Sequence, residues 1–165
     1  MITRIWRALA QPFAVANCVD ACREDDVESA KKHYSQFEES NEARHVALGG
    51  RIRLMERDLK GARRYFERAA RAVSQKRNKH HRYVLEYCSF YLSLMNKDGM
   101  HEQHRDAALS LKPTRTMFNM LPLAPKNWQQ QQDASAPNPS NNFKYAPSKS
   151  DYSLEAFINF KSDDH

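Results

Sequence analysis

Residues 26–37 and 58–69 share one pattern, 32 positions apart, and this self-similarity limits what the chain can fold into more than any other feature. Asp26 and Val27 stand four and three positions before Ala30, as Asp58 and Leu59 do before Ala62. Lys31-Lys32 and Arg63-Arg64 follow the alanines, and Tyr34 and Phe66 come four positions after them. An acid just ahead of an aliphatic run supplies an acceptor for the open amides of a helix start. A small residue with an aromatic four positions on shares one helix face with it. Two such segments at a fixed period predict a stacked helical repeat.

The rest of the chain supports an all-α fold. Its 165 residues suit one domain with a tail, and the sequence holds only four glycines. Of its seven prolines, Pro12 and Pro113 alone precede position 122. Helix breakers are therefore nearly absent from residues 1–121, and β-branched residues are sparse there. Helices are expected over 3–24, kinked or restarted at Pro12, with Trp6, Leu9 and Phe13 on one face. Further helices are expected over 27–40 behind Asp25-Asp26, over 43–57 striped by His45, Leu48, Ile52 and Met55, and over 59–74 behind Asp58. Residues 74–82 read as a basic connector. The apolar stretch 83–96 reads as the central helix, and a helix over 100–111 stops at Lys112-Pro113. Residues 114–121 suit a short cap with Met117, Phe118 and Leu121 on one face.

From Pro122 the composition shifts. Residues 122–165 carry the other five prolines, a Gln129–Gln132 tract and many Ser and Asn. Such a segment buries too little apolar surface to offset its chain entropy, so a disordered tail is expected. One island interrupts it at 151–160, where Tyr152, Leu154, Phe157, Ile158 and Phe160 suit a docking motif for another protein or for the domain's own groove.

With these residues in place, the chain resembles the tetratricopeptide-repeat family of helix-turn-helix units. The resemblance spans roughly 11–113, in units of about 11–40, 41–74 and 82–113. In the middle unit Gly50, Ala62 and Ala69 match the small positions and Phe66 the aromatic between them. Cys18, Ala30 and Tyr34 match in the first unit, where bulky Phe37 replaces a preferred Ala. The third matches through Leu85, Ser89, Leu92 and Ala108 and closes with Leu109-Ser110-Leu111-Lys112-Pro113, although His101 stands where a small residue is expected. The resemblance implies a short right-handed α-solenoid of about three units with a concave groove. It implies a non-catalytic protein-binding role as adaptor, assembly factor or chaperone. By this alignment Arg44, Ala47, Arg51 and Leu54 face the groove, with Val15, Val19 and Cys22 as first-unit counterparts. An arginine pair among apolar positions suits an acidic or amphipathic segment of another protein, because guanidinium grips carboxylate with a fork of donors. Leu48 occupies a position where the family's carboxylate clamp uses Asn, so that specificity is not expected.

Charge points to a second class of partner. Residues 42–82 carry thirteen basic and four acidic side chains, a net of +9, while residues 1–41 and 83–165 net −2 and −1. Lys60, Arg63, Arg64, Arg68, Arg71, Lys76, Arg77, Lys79 and Arg82 form a basic surface able to meet phosphates. No base-stacking aromatics interleave them, so nucleic-acid binding stands as the alternative, beside a structural subunit of a large assembly. Catalysis, a cofactor and a metal are not expected. Cys18 and Cys22 lack a second pair, and His101-Glu102-Gln103-His104 misses the zinc-protease spacing by one residue. No phosphate loop, nucleophile elbow or acid–base carboxylate pair occurs. Three cysteines suit a reducing, cytoplasmic setting, no run spans a membrane, and the N-terminal apolar stretch is broken by Gln11-Pro12, against a cleaved signal.

Overall fold

The computed structural model describes residues 2–112, 121, 123, 154, 157 and 158, with side chains from residue 11 onward. All regular structure among them is helical. Among the described residues 2–112, six helices run in order: α1 (Ile2–Arg23), α2 (Val27–Tyr34), α3 (Ala43–Met55), α4 (Leu59–Val73), α5 (Lys79–Asn96) and α6 (His101–Ser110). Helix α1 packs on α2, α3 on α4, α4 on α5 and α5 on α6, and α3 also touches α1, α2 and α5. No helix among the described residues is long and apolar enough to cross a membrane.

The duplicated sequence is duplicated structure. Asp26 and Asp58 cap α2 and α4 with almost the same backbone, φ −89° with ψ 87° and φ −89° with ψ 82°. Each side chain accepts the amide three residues on, Ser29 at 3.0 Å and Gly61 at 2.8 Å. The preceding residues, Asp25 and Arg57, are both left-handed, at φ 59° and 65°. Each cap amide then donates five residues back, Asp26 to Ala21 and Asp58 to Arg53, both at 2.9 Å. That is a helix end closed by a left-handed residue and its backward bond, running straight into the next cap. Ala30 and Ala62 are fully buried, as are Tyr34 and Phe66 to within a few per cent.

The copies diverge after the aromatic. Helix α2 was expected to reach residue 40 and ends at Tyr34. The chain instead turns through Phe37 N–H to Tyr34 C=O at 2.9 Å and Ser40 N–H to Phe37 C=O at 2.9 Å. The cause is the bulk at Phe37, whose buried ring packs edge-on to Tyr34 at 5.1 Å and against His45 at 4.9 Å. In the second copy Ala69 takes that place and α4 runs on to Val73.

Of the two arrangements expected at Pro12, a single helix α1 runs through it, and Phe13 is 74% exposed. Two further expectations are corrected. The connector 74–82 is shorter than expected because Asn78 accepts the His81 amide at 2.8 Å and opens α5 at Lys79. The centre is shared by α3, in which every residue from His45 to Met55 except Arg53 is buried. Gly49 and Gly50 let α4 approach it closely. A Cβ on Gly50 would lie 2.9 Å from the Phe66 ring, and one on Gly49 2.5 Å from Tyr65. The expected cap 114–121 and segment 122–165 lie outside the described residues except at Leu121, Leu123, Leu154, Phe157 and Ile158.

Candidate functional site

One cavity of about 630 Å³ lies where the starts of α3 and α5 meet the end of α4. Asn41, Glu42, Ala43 and Arg44 line it from the α3 side, Ala72 and Lys76 from α4 and the turn beyond it, and His80, His81, Tyr83 and Val84 from α5. Leu121 closes it, held by a 2.6 Å hydrogen bond from the Tyr83 hydroxyl to its carbonyl. The size falls within the range of sites that hold small ligands or peptide side chains.

Two helix starts converge here, and each brings the positive end of a helix dipole and first-turn amides with no partner inside the helix. Glu42 gives α3 no side-chain cap. Its carboxylate instead holds Arg44 Nε at 2.7 Å and so keeps the guanidinium, about one-third exposed, at the rim. Lys76 adds a second cation. Burial holds His81 below the ordinary histidine value, with Lys76 and His80 adding repulsion, so His81 is neutral at pH 7. Tyr83, Val84, Ala72 and Leu121 provide an apolar floor. The lining thus sets two cations, Arg44 and Lys76, and the Glu42 carboxylate around an apolar floor.

Just behind it, His45 is 1% exposed. Its Nδ1 lies 2.7 Å from the Ser40 hydroxyl and its Nε2 4.0 Å from the Glu42 carboxylate. Burial pushes its pKa below the ordinary 6.5, Glu42 pulling upward and Arg44 downward. The unfolded chain therefore binds the proton first, and stability falls as pH drops from about 6.5 through the folded value. His81 contributes in the same direction. Urea midpoints at pH 7.5 and 5.5 should show lower stability at 5.5, and His45→Gln should reduce that difference.

The expected site residues separate. Arg44 lines the cavity, and of the basic set so does Lys76. Ala47, Arg51, Leu54, Val15 and Val19 do not face an open groove. All are at most 3% exposed and pack between helices, as does Cys22. Lys60, Arg64, Arg77, Lys79 and Arg82 are exposed. Arg63 donates to Asn96 Oδ1 at 2.5 Å, Arg68 lies 5.2 Å from the Tyr65 ring centroid, and Arg71 reaches the Glu67 carbonyl at 3.4 Å. Leu154 and Ile158 are buried, Phe157 is half-buried, and Tyr152 and Phe160 lie outside the described residues. His80 and His81 fall within residues 74–82, which read from sequence as a basic connector. The signal that finds them is Asn78, a good cap residue directly before a helix-forming run.

Other reactive groups are closed off. Cys18 is fully buried beside Cys22, whose hydrogen bond and the lack of solvent push its thiol well up, and burial alone does so for Cys88. Such thiols stay protonated at neutral pH. Among the described residues no three His, Cys, Asp or Glu side chains come close enough to hold a metal ion. His104 pairs with Glu86 at 2.8 Å on the α5–α6 seam, away from the cavity.

No family model, curated protein or solved structure matches the chain.

Proposed function

We propose that this chain is a non-catalytic protein-interaction module that binds an acidic or amphipathic segment of another protein. The observation that carries the reading is the cavity, which joins Arg44 and Lys76 to two helix starts over an apolar floor. The helix pairs, with α3 touching both α1 and α5, are in keeping with a short right-handed α-solenoid of about three tetratricopeptide-like units. Three buried cysteines suit a reducing, cytoplasmic setting.

Binding is tested by fluorescence anisotropy with a peptide in which Glu and Asp alternate with Leu and Phe. Loss of two charge-assisted contacts should weaken binding by about tenfold or more in Arg44→Glu/Lys76→Glu. Helicity and melting temperature should hardly change, because both side chains reach solvent. Equal binding by wild type and double variant overturns the assignment. If a mixed-sequence RNA binds instead, with a steep salt dependence lost on charge reversal at Arg64 and Arg68, the basic surface is the site.

A further inference from the structure

Leu154, Phe157 and Ile158 are helical and stand at the i, i+3, i+4 spacing that puts three side chains on one face. Leu154 is 0% exposed and Ile158 2%, within the same apolar cluster as the six helices. Phe157 is half-buried, with the Arg57 guanidinium 4.2 Å from its ring centroid. Arg57 is the left-handed residue of the α3–α4 turn, so the contact fixes where this piece lies. Isolated helices of fewer than about 12–15 residues are marginal in water and leave an apolar face uncovered. The domain supplies both the order and the cover.

We propose that the surface beside the α3–α4 turn is a docking site for a short amphipathic helix. The partner it fits carries an aliphatic residue, an aromatic three positions on and an aliphatic one after that. Leu154, Phe157 and Ile158 occupy the site in cis and show its selectivity, with aliphatic side chains in the buried positions and an aromatic face against a cation. Residues 124–153 link Leu123, itself 2% exposed, to Leu154. Encounter is therefore intramolecular, at an effective concentration on the order of mM for linked segments. A longer partner helix with the same triad adds contacts beyond these three side chains and so competes with the linked segment. The inference uses neither Arg44 nor Lys76 and stands apart from the cavity.

The test uses the full chain and a labelled synthetic peptide of residues 150–162. Leu154→Asp/Ile158→Asp removes the cis occupant, and the variant should bind the peptide about tenfold or more tightly than the unmodified chain. Adding Arg57→Ala should lower that affinity, and a peptide with Asp at 154 and 158 should not bind. A helical double variant that binds no better than the unmodified chain overturns the proposal. So does an unmodified chain that dimerises through this segment, since the occupant is then a second copy. If the double variant loses its helical circular dichroism signal, Phe157→Ala is measured instead. It leaves both aliphatic anchors in place and should raise peptide affinity about threefold, and no rise overturns the proposal.

Discussion

Arg51→Glu is expected to destabilise the domain strongly rather than disarm a binding site. By the sequence alignment Arg51 stood beside Arg44 on a groove, where reversing its charge costs little stability. In the structure it is 0% exposed at the middle of α3, and its Nη1 donates to the Tyr87 hydroxyl of α5 at 3.1 Å. Its charge also acts on Cys18 of α1, drawing that thiol down against the larger effects that raise it. The guanidinium therefore sits among three helices. A carboxylate in its place is a buried charge set among thiols and a phenol, and removing one member of a buried charged network costs about 3–5 kcal/mol. That is a large share of the ~5–15 kcal/mol that holds a typical domain together. Arg51→Met, apolar and similarly long, should cost at least about 2 kcal/mol less, because it leaves no buried charge. Urea denaturation followed by circular dichroism ranks the three proteins. An Arg51→Glu protein as stable as wild type contradicts the buried placement.

Arg51 also shows where sequence reading ends. Periodicity along 43–57 defines a stripe through His45, Leu48, Ile52 and Met55, and it treats the opposite side as open. Helix α3 is instead enclosed on nearly all sides, and whether Arg51 points at water depends on α5, thirty-odd residues later in the chain. Local signals fared better. Asp26 and Asp58, with Ala30 and Ala62 behind them, marked two helix starts and two close crossings, because capping and small-residue packing are decided within a few residues. Even there Phe37 ended α2 early, through contacts with Tyr34 and His45 that span the turn. The cavity was half legible. Arg44 and Lys76 were singled out in separate sets, and their meeting depends on Asn78 starting α5 and on Leu121 closing the floor. The island at 151–160 stood out by its apolar spacing, whereas its place beside Arg57 is a tertiary fact.

Phe66→Ala should be the most damaging truncation of an apolar side chain, at about 3–5 kcal/mol. Phe66 is 0% exposed and stacks on Tyr91 of α5, with ring centroids 5.1 Å apart and planes at 7°, while meeting Tyr87 edge-on at 6.3 Å. On its other side lies α3, brought close by Gly50, where a Cβ would meet three carbons of the ring at 2.9–3.2 Å. One ring thus fills the space among α3, α4 and α5, and the glycine exists to admit it. Gly50→Ala alone should therefore destabilise by about 1–3 kcal/mol, although Ala is the better helix former. In the Phe66→Ala background the obstruction is gone, so the same change should be neutral or stabilising. The cycle should then show a coupling of about 1 kcal/mol or more, whereas unconnected sites add to within ~0.5 kcal/mol. Tyr34, the counterpart of Phe66 in the first copy, is 7% exposed on an eight-residue helix, and Tyr34→Ala should cost less. Additive effects at Gly50 and Phe66 refute the close crossing. An equal loss at Tyr34 means that the two copies contribute alike to stability, despite the early end of α2.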